Sequence, residues 1–423
     1  MQDSLERVLL VGVELHDDVI DIDTSMDELE ELVKAAGGII ISRVIQKVIG
    51  INPAFFIGRG KAGEIKNYCD ELEISTVVFN DELSGAQLRN LEDTIDKKIV
   101  DRTNLILDIF ANRATSKEGK LQVKLAQMKY RLPRLVGFRD YLSREGGGIG
   151  TRGPGEQKLE TDRRHILREI NNIEKQLKEI EQIRSIKRKK REESNLPIVA
   201  LVGYTNAGKS TLLNKLIEFD DDANDKKQVY VEDMLFATLD TSLRRSKLNN
   251  GQPFLITDTV GFVSKLPTHL VEAFKGTLEE VKYADLLLHV VDASNKDLDI
   301  QIRTTFDILK DLDVLDKPLI TVFNKMDKID ISNVIYDVNY VGEKIFISAK
   351  NDVNIEELLK LIEKNLPQEF IRVTLKIPYE KQSILNYFMN NYDVDKIEHK
   401  EEGTFIELTI NSIDFERYKD LLV

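Results

Sequence analysis

The chain has 423 residues, more than one hydrophobic core usually supports, so two to four domains are expected. A hydrophobic share of 42% beside 31% charged residues excludes a wholly disordered or membrane-spanning chain. The single cysteine, Cys69, excludes an internal disulfide framework and suits a reducing compartment. The net charge of −13, taken as an average, argues against a polyanionic partner.

The average conceals an asymmetry. Arg113 to Glu193 carries 22 Lys and Arg against 12 Asp and Glu, a net of +10 that leaves −23 on the rest. Such polarity is a statement about partners, although a run of basic residues also suits a merely solvated helical face. The opening Met1-Gln2-Asp3-Ser4-Leu5-Glu6 has no basic-then-apolar signal pattern. The apolar run Leu286-Leu287-Leu288 is cut by His289 and Asp292, too short to span a bilayer. A cytoplasmic protein without stable membrane insertion is expected.

Residues 1–112 alternate apolar runs with helical patterns. Val8 to Val13, Gly38 to Ile41 and Thr76 to Phe79 predict strands, with helices over Ser25 to Ala36 and Gly85 to Ile95. This is a small N-terminal α/β domain. Residues 113–195 follow as an arm. Leu121, Leu125, Met128 and Leu132 form one apolar helical stripe that Pro133 is expected to stop. Ile166, Ile170, Ile173, Leu177 and Ile180 form another, and the pair predicts an antiparallel helical hairpin with coiled-coil packing. The second helix would run about 43 Å from Leu159 to Lys187. Between the helices, Gly146 to Gly155 has six glycines in ten positions. Such a stretch suits a flexible linker, but Arg144, Arg152 and Lys158 set cations in and beside a backbone that can approach a partner closely.

Residues 196–366 carry the chemistry. Strands over Ile198 to Val202, Phe254 to Thr257, Leu286 to Val291 and Leu319 to Phe323 alternate with helices, which predicts a doubly wound, mostly parallel sheet. Gly203-Tyr204-Thr205-Asn206-Ala207-Gly208-Lys209-Ser210, followed by Thr211, fits the phosphate-binding loop between strand and helix. Its backbone N–H groups can cradle phosphates. Lys209 would reach the β- and γ-phosphates and Ser210 would bind Mg²⁺. Asp258-Thr259-Val260-Gly261 sets Asp258 near the metal and the Gly261 N–H near the γ-phosphate. In Asn324-Lys325-Met326-Asp327, the Asp327 carboxylate can accept from guanine N1–H and the exocyclic amine, whereas adenine offers an acceptor at N1, so GTP is selected over ATP. Ser348-Ala349-Lys350 suits backbone contacts to the guanine carbonyl. Thr238, in Phe236-Ala237-Thr238-Leu239, is expected to join Mg²⁺ and the γ-phosphate in a first switch, after a poorly ordered Asp220 to Asp225. GTP/GDP and Mg²⁺ are the expected ligands, with Ser210, Thr238 and Asp258 as metal ligands. Lys209, Thr238 and Gly261 are the candidate catalytic groups. Phe262 stands where many small GTPases place a water-orienting glutamine, so intrinsic hydrolysis is expected to be slow.

Residues 367–423 predict a small α+β domain with strands over Ile371 to Ile377 and Thr404 to Ile410. It is expected to contact the GTP-binding domain or a partner protein. His16, His165, His269, His289 and His399 lack metal-ligand spacing and are expected to be satisfied or exposed histidines. Cys69 falls in a helix pattern and is expected to pack.

Phe56-Ile57-Gly58-Arg59-Gly60-Lys61, Asp81 to Leu91, Asp101-Arg102-Thr103, Leu107-Asp108-Ile109-Phe110 and Glu118 to Val123 form distinctive runs. So do Gly146 to Glu156, Leu159 to Arg164, and Asp258 to Val263 with Leu266-Pro267. In these the chain resembles, over nearly its full length, the HflX family of ribosome-associated GTPases (Obg/HflX-like, TRAFAC class). Gln157, where a threonine is expected, and Asp240-Thr241-Ser242, where some members carry proline, depart from the pattern without touching a nucleotide role. The resemblance implies a P-loop GTPase, acting as a monomer, that binds the large (50S) ribosomal subunit in its GTP state. The arm loop, with Gly147 and Gly148, would approach 23S rRNA near the peptidyl transferase centre. It also implies splitting of stalled or hibernating 70S or 100S ribosomes under stress.

Two other readings compete. Gly58-Arg59-Gly60-Lys61 with RNA binding would suit an ATP-driven helicase, but the run lacks phosphate-loop spacing and a following Ser or Thr, and a turn capping a helix fits it better. Alternatively, the arm of a GTP switch could bind a protein through an apolar stripe, with mild salt sensitivity.

Overall fold

The computed structural model describes residues 6–16, 21–136, 154–192, 196–218, 235–236, 243–267, 270, 280–329, 342–366 and 370–423. Contacts divide the chain into two compact units. The first comprises Met1–Arg184 with Glu232–Asp240 and Val260–Leu278; the second comprises Ser185–Val231, Thr241–Thr259 and Glu279–Val423.

The first unit is built on strands β1 (Arg7–Leu15), β2 (Ile39–Val48), β3 (Thr76–Phe79) and β4 (Lys98–Asp101), all parallel in the order β2-β1-β3-β4. Helices α1 (Ile22–Ala35), α2 (Arg59–Glu71), α3 (Gly85–Ile95) and α4 (Arg102–Arg113) connect or follow them. Polar side chains satisfy the free N–H groups at three helix starts. Asp21 accepts from Thr24 N at 3.2 Å, Asp101 from Asn104 N at 2.8 Å, and Ser84 and Gln87 form a reciprocal capping box. Strand β2 runs ten residues, well past the four apolar residues expected, because its later side chains alternate into the two cores flanking the sheet: Ile45 faces one, Val44 and Val48 the other. Cys69 is buried in α2, as packing requires.

Helices α5 (Lys117–Val136) and α6 (Pro154–Glu192) make the arm. Leu125, Ile170 and Ile173 bury between them with Leu121, Met128, Leu132, Ile166 and Leu177. The pairs Glu118–Arg184 at 2.9 Å and Lys129–Glu174 at 3.0 Å rise along α5 as they fall along α6, so the helices are antiparallel. Pro133 does not stop α5, which continues three residues beyond it. Pro133 removes the bond to the Lys129 carbonyl, and the turn beyond it is held from outside the ladder: the Arg134 guanidinium donates to the Tyr130 carbonyl at 2.9 Å and pairs with Glu82 at 2.9 Å and Asp101 at 3.3 Å.

The second unit holds the larger sheet, ordered β10-β9-β8-β5-β7-β6. Its strands are β5 (Ile198–Gly203), β6 (Leu243–Lys247), β7 (Pro253–Thr257), β8 (Leu286–Asp292), β9 (Leu319–Asn324) and β10 (Glu343–Phe346). All pairs are parallel except β6 with β7 at one edge. Helices α7 (Lys209–Glu218), α8 (Leu298–Asp311) and α9 (Ile355–Asn365) cover it, and β5 lies inside the sheet with Val199, Leu201 and Val202 fully buried. A C-terminal sheet of β11 (Phe370–Ile377), β12 (Val394–Lys400) and β13 (Gly403–Asn411) is antiparallel, ordered β11-β13-β12. Helices α10 (Gln382–Asn391) and α11 (Ser412–Tyr418) join it, with Phe388 of α10 in its core. This sheet meets the larger domain through Arg245–Asp393, Lys247–Asp395 at 3.3 Å and a Thr409 hydroxyl bond to the Asn250 carbonyl at 3.3 Å. The chain is thus α/β overall, with a doubly wound, mostly parallel sheet in its second unit.

Candidate functional site: a guanine-nucleotide pocket

The parallel strands of the second unit end on one side of their sheet, where α/β proteins take ligands. The loop from β5 to α7 turns there on residues whose backbone only glycine suits. Gly203 has φ +145°, and a Cβ on it would lie 2.2 Å from the Val290 carbonyl oxygen. Gly208 has φ +92°, and its Cβ would lie 2.2 Å from Asn324 Nδ2. Asn206 also adopts the left-handed region, at φ 57°, which asparagine tolerates.

Lys209, the first residue of α7, is buried, and its ammonium donates to the Gly203 and Tyr204 carbonyls at 3.0 and 2.7 Å. Burial pulls its pKa down to about 8, partly opposed by Asp258. The Ser210 hydroxyl donates to Asp258 Oδ2 at 2.7 Å. Asp258 Oδ1 accepts from Thr259 N at 2.9 Å, and the Thr259 hydroxyl donates to the Leu201 carbonyl at 2.7 Å. These contacts fix the carboxylate beside the serine. A hydroxyl and a carboxylate so placed are hard oxygen donors, the set that suits Mg²⁺, so the residues fit that ion. Thr211 follows on α7.

On the base side, Asn324 Oδ1 accepts from Ala349 N at 3.0 Å while its Nδ2 donates to the Ala207 carbonyl at 2.9 Å. The Ser348 hydroxyl donates to Asp327 Oδ1 at 2.5 Å and holds that carboxyl below its usual range. Lys325 takes φ 65° and pairs with Asp292 Oδ2 at 2.8 Å. Met326 packs with Phe323 and Ile329, and Lys350 is exposed. The structure thus brings Gly203 to Thr211, Asp258, Thr259, Asn324 to Asp327 and Ser348 to Lys350 to one side of one sheet.

Val260 and Gly261 continue the chain from Thr259 into a segment of the first unit, where Phe262 is 2% exposed. Phe236 was expected to line the nucleotide; its side chain is instead buried in the first unit's core, its ring edge-on to Phe110 at 4.6 Å. That apolar surface is better satisfied among side chains than beside phosphates, so the correction is physical. Ala237, Thr238 and the acidic Asp220 to Asp225 lie outside the described residues, as do Arg144, Gly147, Gly148 and Arg152. Lys158 lies on α6. Gly58 is the N-cap of α2 and Lys61 pairs with Glu64 at 2.8 Å, the start of a helix.

Sequence reasoning missed Asp292 and His289. An acid closing a strand before Ala293-Ser294 was the signal for the first. His289 is buried on β8 with neither ring nitrogen partnered, and burial drives its pKa to about 3, so it stays neutral below the loop. Among the described residues no helix is long and apolar enough to cross a membrane.

The chain is similar to known proteins along most of its length. Family models described as GTP-binding GTPase N-terminal, GTP-binding GTPase middle region and 50S ribosome-binding GTPase match residues 23–111, 113–191 and 198–325. A GTPase HflX from Caldanaerobacter subterraneus subsp. tengcongensis is 48% identical over 99% of this chain and 94% of its own length. The GTPase HflX of Lacrimispora saccharolytica is 46% identical over 96% of this chain and 94% of its own. That of Escherichia coli K12 is 37% identical over 98% and 96%.

Proposed function

The chain belongs to the HflX family of GTPases, and from that premise we propose that it binds the large ribosomal subunit in its GTP state and splits stalled or hibernating ribosomes. One observation carries this reading: the segment with a net of +10 coincides with the middle region that the family model matches at residues 113–191. A basic arm on an acidic body gains affinity for RNA by displacing counterions from phosphates, while the body limits indiscriminate binding.

In this reading the loop backbone and Lys209 hold the nucleotide phosphates, and Asp327 reads guanine beside Ser348, Ala349 and Lys350. Ser210, Asp258 and Thr238 would hold Mg²⁺, which would supply neutralisation of phosphate charge. Arg144, Gly147, Gly148, Arg152 and Lys158 approach 23S rRNA of the 50S subunit. The GTP form places the arm where it competes with subunit joining, in 70S or 100S particles, and hydrolysis lowers affinity and releases the factor. Phe262 cannot orient water, so the ribosome supplies or orders the missing group. The protein acts as a monomer.

The test is 50S binding with GTP, GDP and a non-hydrolysable analogue across a salt series. Steep salt dependence, loss on charge reversal at Arg144, Arg152 and Lys158, and preference for the GTP form are expected. Salt-insensitive binding that survives the reversals would favour a protein-binding arm.

A further inference from the structure

A piece of the first unit's own chain, from far along the sequence, lies against residues that follow its parallel strands. Asn80 follows β3, Arg102 follows β4, and Glu28 lies on the helix after β1. Asn80 and Arg102 stand at carboxyl-end positions of parallel strands, the side on which open α/β sheets bind ligands. The segment that begins at Val260 is seated there. Ser264 N donates to Glu28 Oε1 at 3.2 Å. Arg102 Nη2 donates to the Ser264 carbonyl at 3.1 Å and to its hydroxyl oxygen at 3.2 Å. Arg102 and Glu28 pair directly, and the Ser264 hydroxyl donates to Glu28. Lys265 pairs with Asp81 at 2.6 Å. Arg102 is 1% exposed, and its Nη1 donates to Asn80 Oδ1 at 3.0 Å.

The residue before Arg102 grips the arm. Asp101 Oδ2 accepts from Leu83 N at 2.9 Å and pairs with Arg134 of α5 at 3.3 Å. Arg134 also donates to the Leu83 carbonyl at 2.7 Å, and its guanidinium lies 3.4 Å from the centre of the Tyr130 ring. Arg134 backbone comes so near α3 that a Cβ on Gly85 would sit 3.0 Å from its Cα.

We propose that Arg102 is a positioning residue of the nucleotide switch, and that the consecutive pair Asp101–Arg102 relays the state of the segment after Gly261 to the arm. Ser264 stands three residues past Gly261, so a shift of Gly261 toward a γ-phosphate pulls on Ser264. The Arg102–Glu28 pair is buried and completed by Ser264, so the segment cannot slide while that charge pair stays in place; the junction moves with it or lets go. Either outcome alters the backbone at Asp101 and hence the grip on α5. The inference rests on the GTP-switch reading above and adds the route by which that switch reaches the arm.

Hydrogen exchange of the full chain, bound to GDP and to a non-hydrolysable GTP analogue, tests it. In the unsubstituted protein, exchange is expected to differ between the two nucleotides at residues 260–267 and at 117–136. Ser264→Ala and Arg102→Lys should keep nucleotide affinity within about threefold and keep the difference at 260–267, yet lose it at 117–136. Arg134→Gln should do the same from the arm side. Ser264→Ala removes one hydroxyl, so it guards against an Arg102 variant that fails to fold. A difference at 117–136 that persists in Ser264→Ala and Arg134→Gln, or that is absent from the unsubstituted protein, overturns the relay. Failure of either nucleotide to bind, read by fluorescent GDP titration, would instead overturn the GTP-switch reading.

Discussion

Asn324 donates to the Ala207 carbonyl at 2.9 Å, so one side chain at the end of β9 pins the loop between β5 and α7. Its other amide atom accepts from Ala349 N, and three loops that we propose hold different parts of one nucleotide are tied together. Such preorganisation lowers the ordering cost of binding.

Removing that tie should be costly. Asn324→Ala loses two hydrogen bonds of about 1 kcal/mol each, so the Kd for GDP is expected to rise about 30-fold. Gly208→Ala brings a Cβ 2.2 Å from the same Asn324 side chain at a φ of +92°, and should abolish binding outright. Titration calorimetry reads both; equal, mild losses would contradict the receptor described.

The pocket should also show a pH signature on the base side. The Ser348 hydroxyl holds the Asp327 carboxyl below its usual range, and only the carboxylate can accept both guanine donors. Guanine affinity is therefore present above the depressed pKa and lost as pH falls through it. Ser348→Ala raises that pKa, so the acid loss should begin at a higher pH than in the unsubstituted protein. Asp327→Asn should cost about 100-fold in GDP affinity and shift preference toward xanthosine nucleotides, whose 2-carbonyl accepts from the new amide. Fluorescent-nucleotide titrations across pH check both.

Much of this was legible in the sequence because phosphate loops are local. Gly203 to Ser210 sit between a near-continuous apolar strand and a helix, and Gly203 and Gly208 are each demanded by a close backbone approach. The arm was legible too, since its 3.5-residue periodicity fixes which faces meet. What stayed hidden depends on long-range partners. Phe236 looked like a nucleotide neighbour by its place before Thr238, but its burial against Phe110 is separated from it by more than a hundred residues of chain. Arg102 stood out as part of a family run, yet nothing local says that it takes Ser264. Pro133 misled because the turn beyond it is held by Arg134 pairing with Glu82 and Asp101, partners far from it in sequence.

Lys209 predicts a second pH effect, of opposite sense. Its pKa in the nucleotide-free protein is lowered to about 8 by burial, so above that pH the side chain is neutral until phosphates restore its charge. GDP binding should then take up a proton, and affinity should fall with rising pH by up to about tenfold per unit above pH 8. The same shift makes the nucleotide-free protein more stable from about pH 8 to 10.5, since the unfolded chain holds the proton there. Calorimetry in buffers of different ionisation enthalpy measures the uptake, and Lys209→Met should remove it.

Phe262 is buried, so its side chain is engaged in packing rather than poised over a nucleotide. Phe262→Gln should not raise single-turnover GTP hydrolysis of the isolated protein, whereas added 50S subunits should accelerate the unsubstituted protein strongly. Fast turnover without ribosomes would contradict this.

The most direct measurement is sedimentation of purified 70S ribosomes with the protein in a sucrose gradient. With GTP or a non-hydrolysable analogue, the 70S peak should convert to 30S and 50S, the protein co-sedimenting with 50S; with GDP it should stay intact. A 70S peak unchanged in every nucleotide condition would contradict the account.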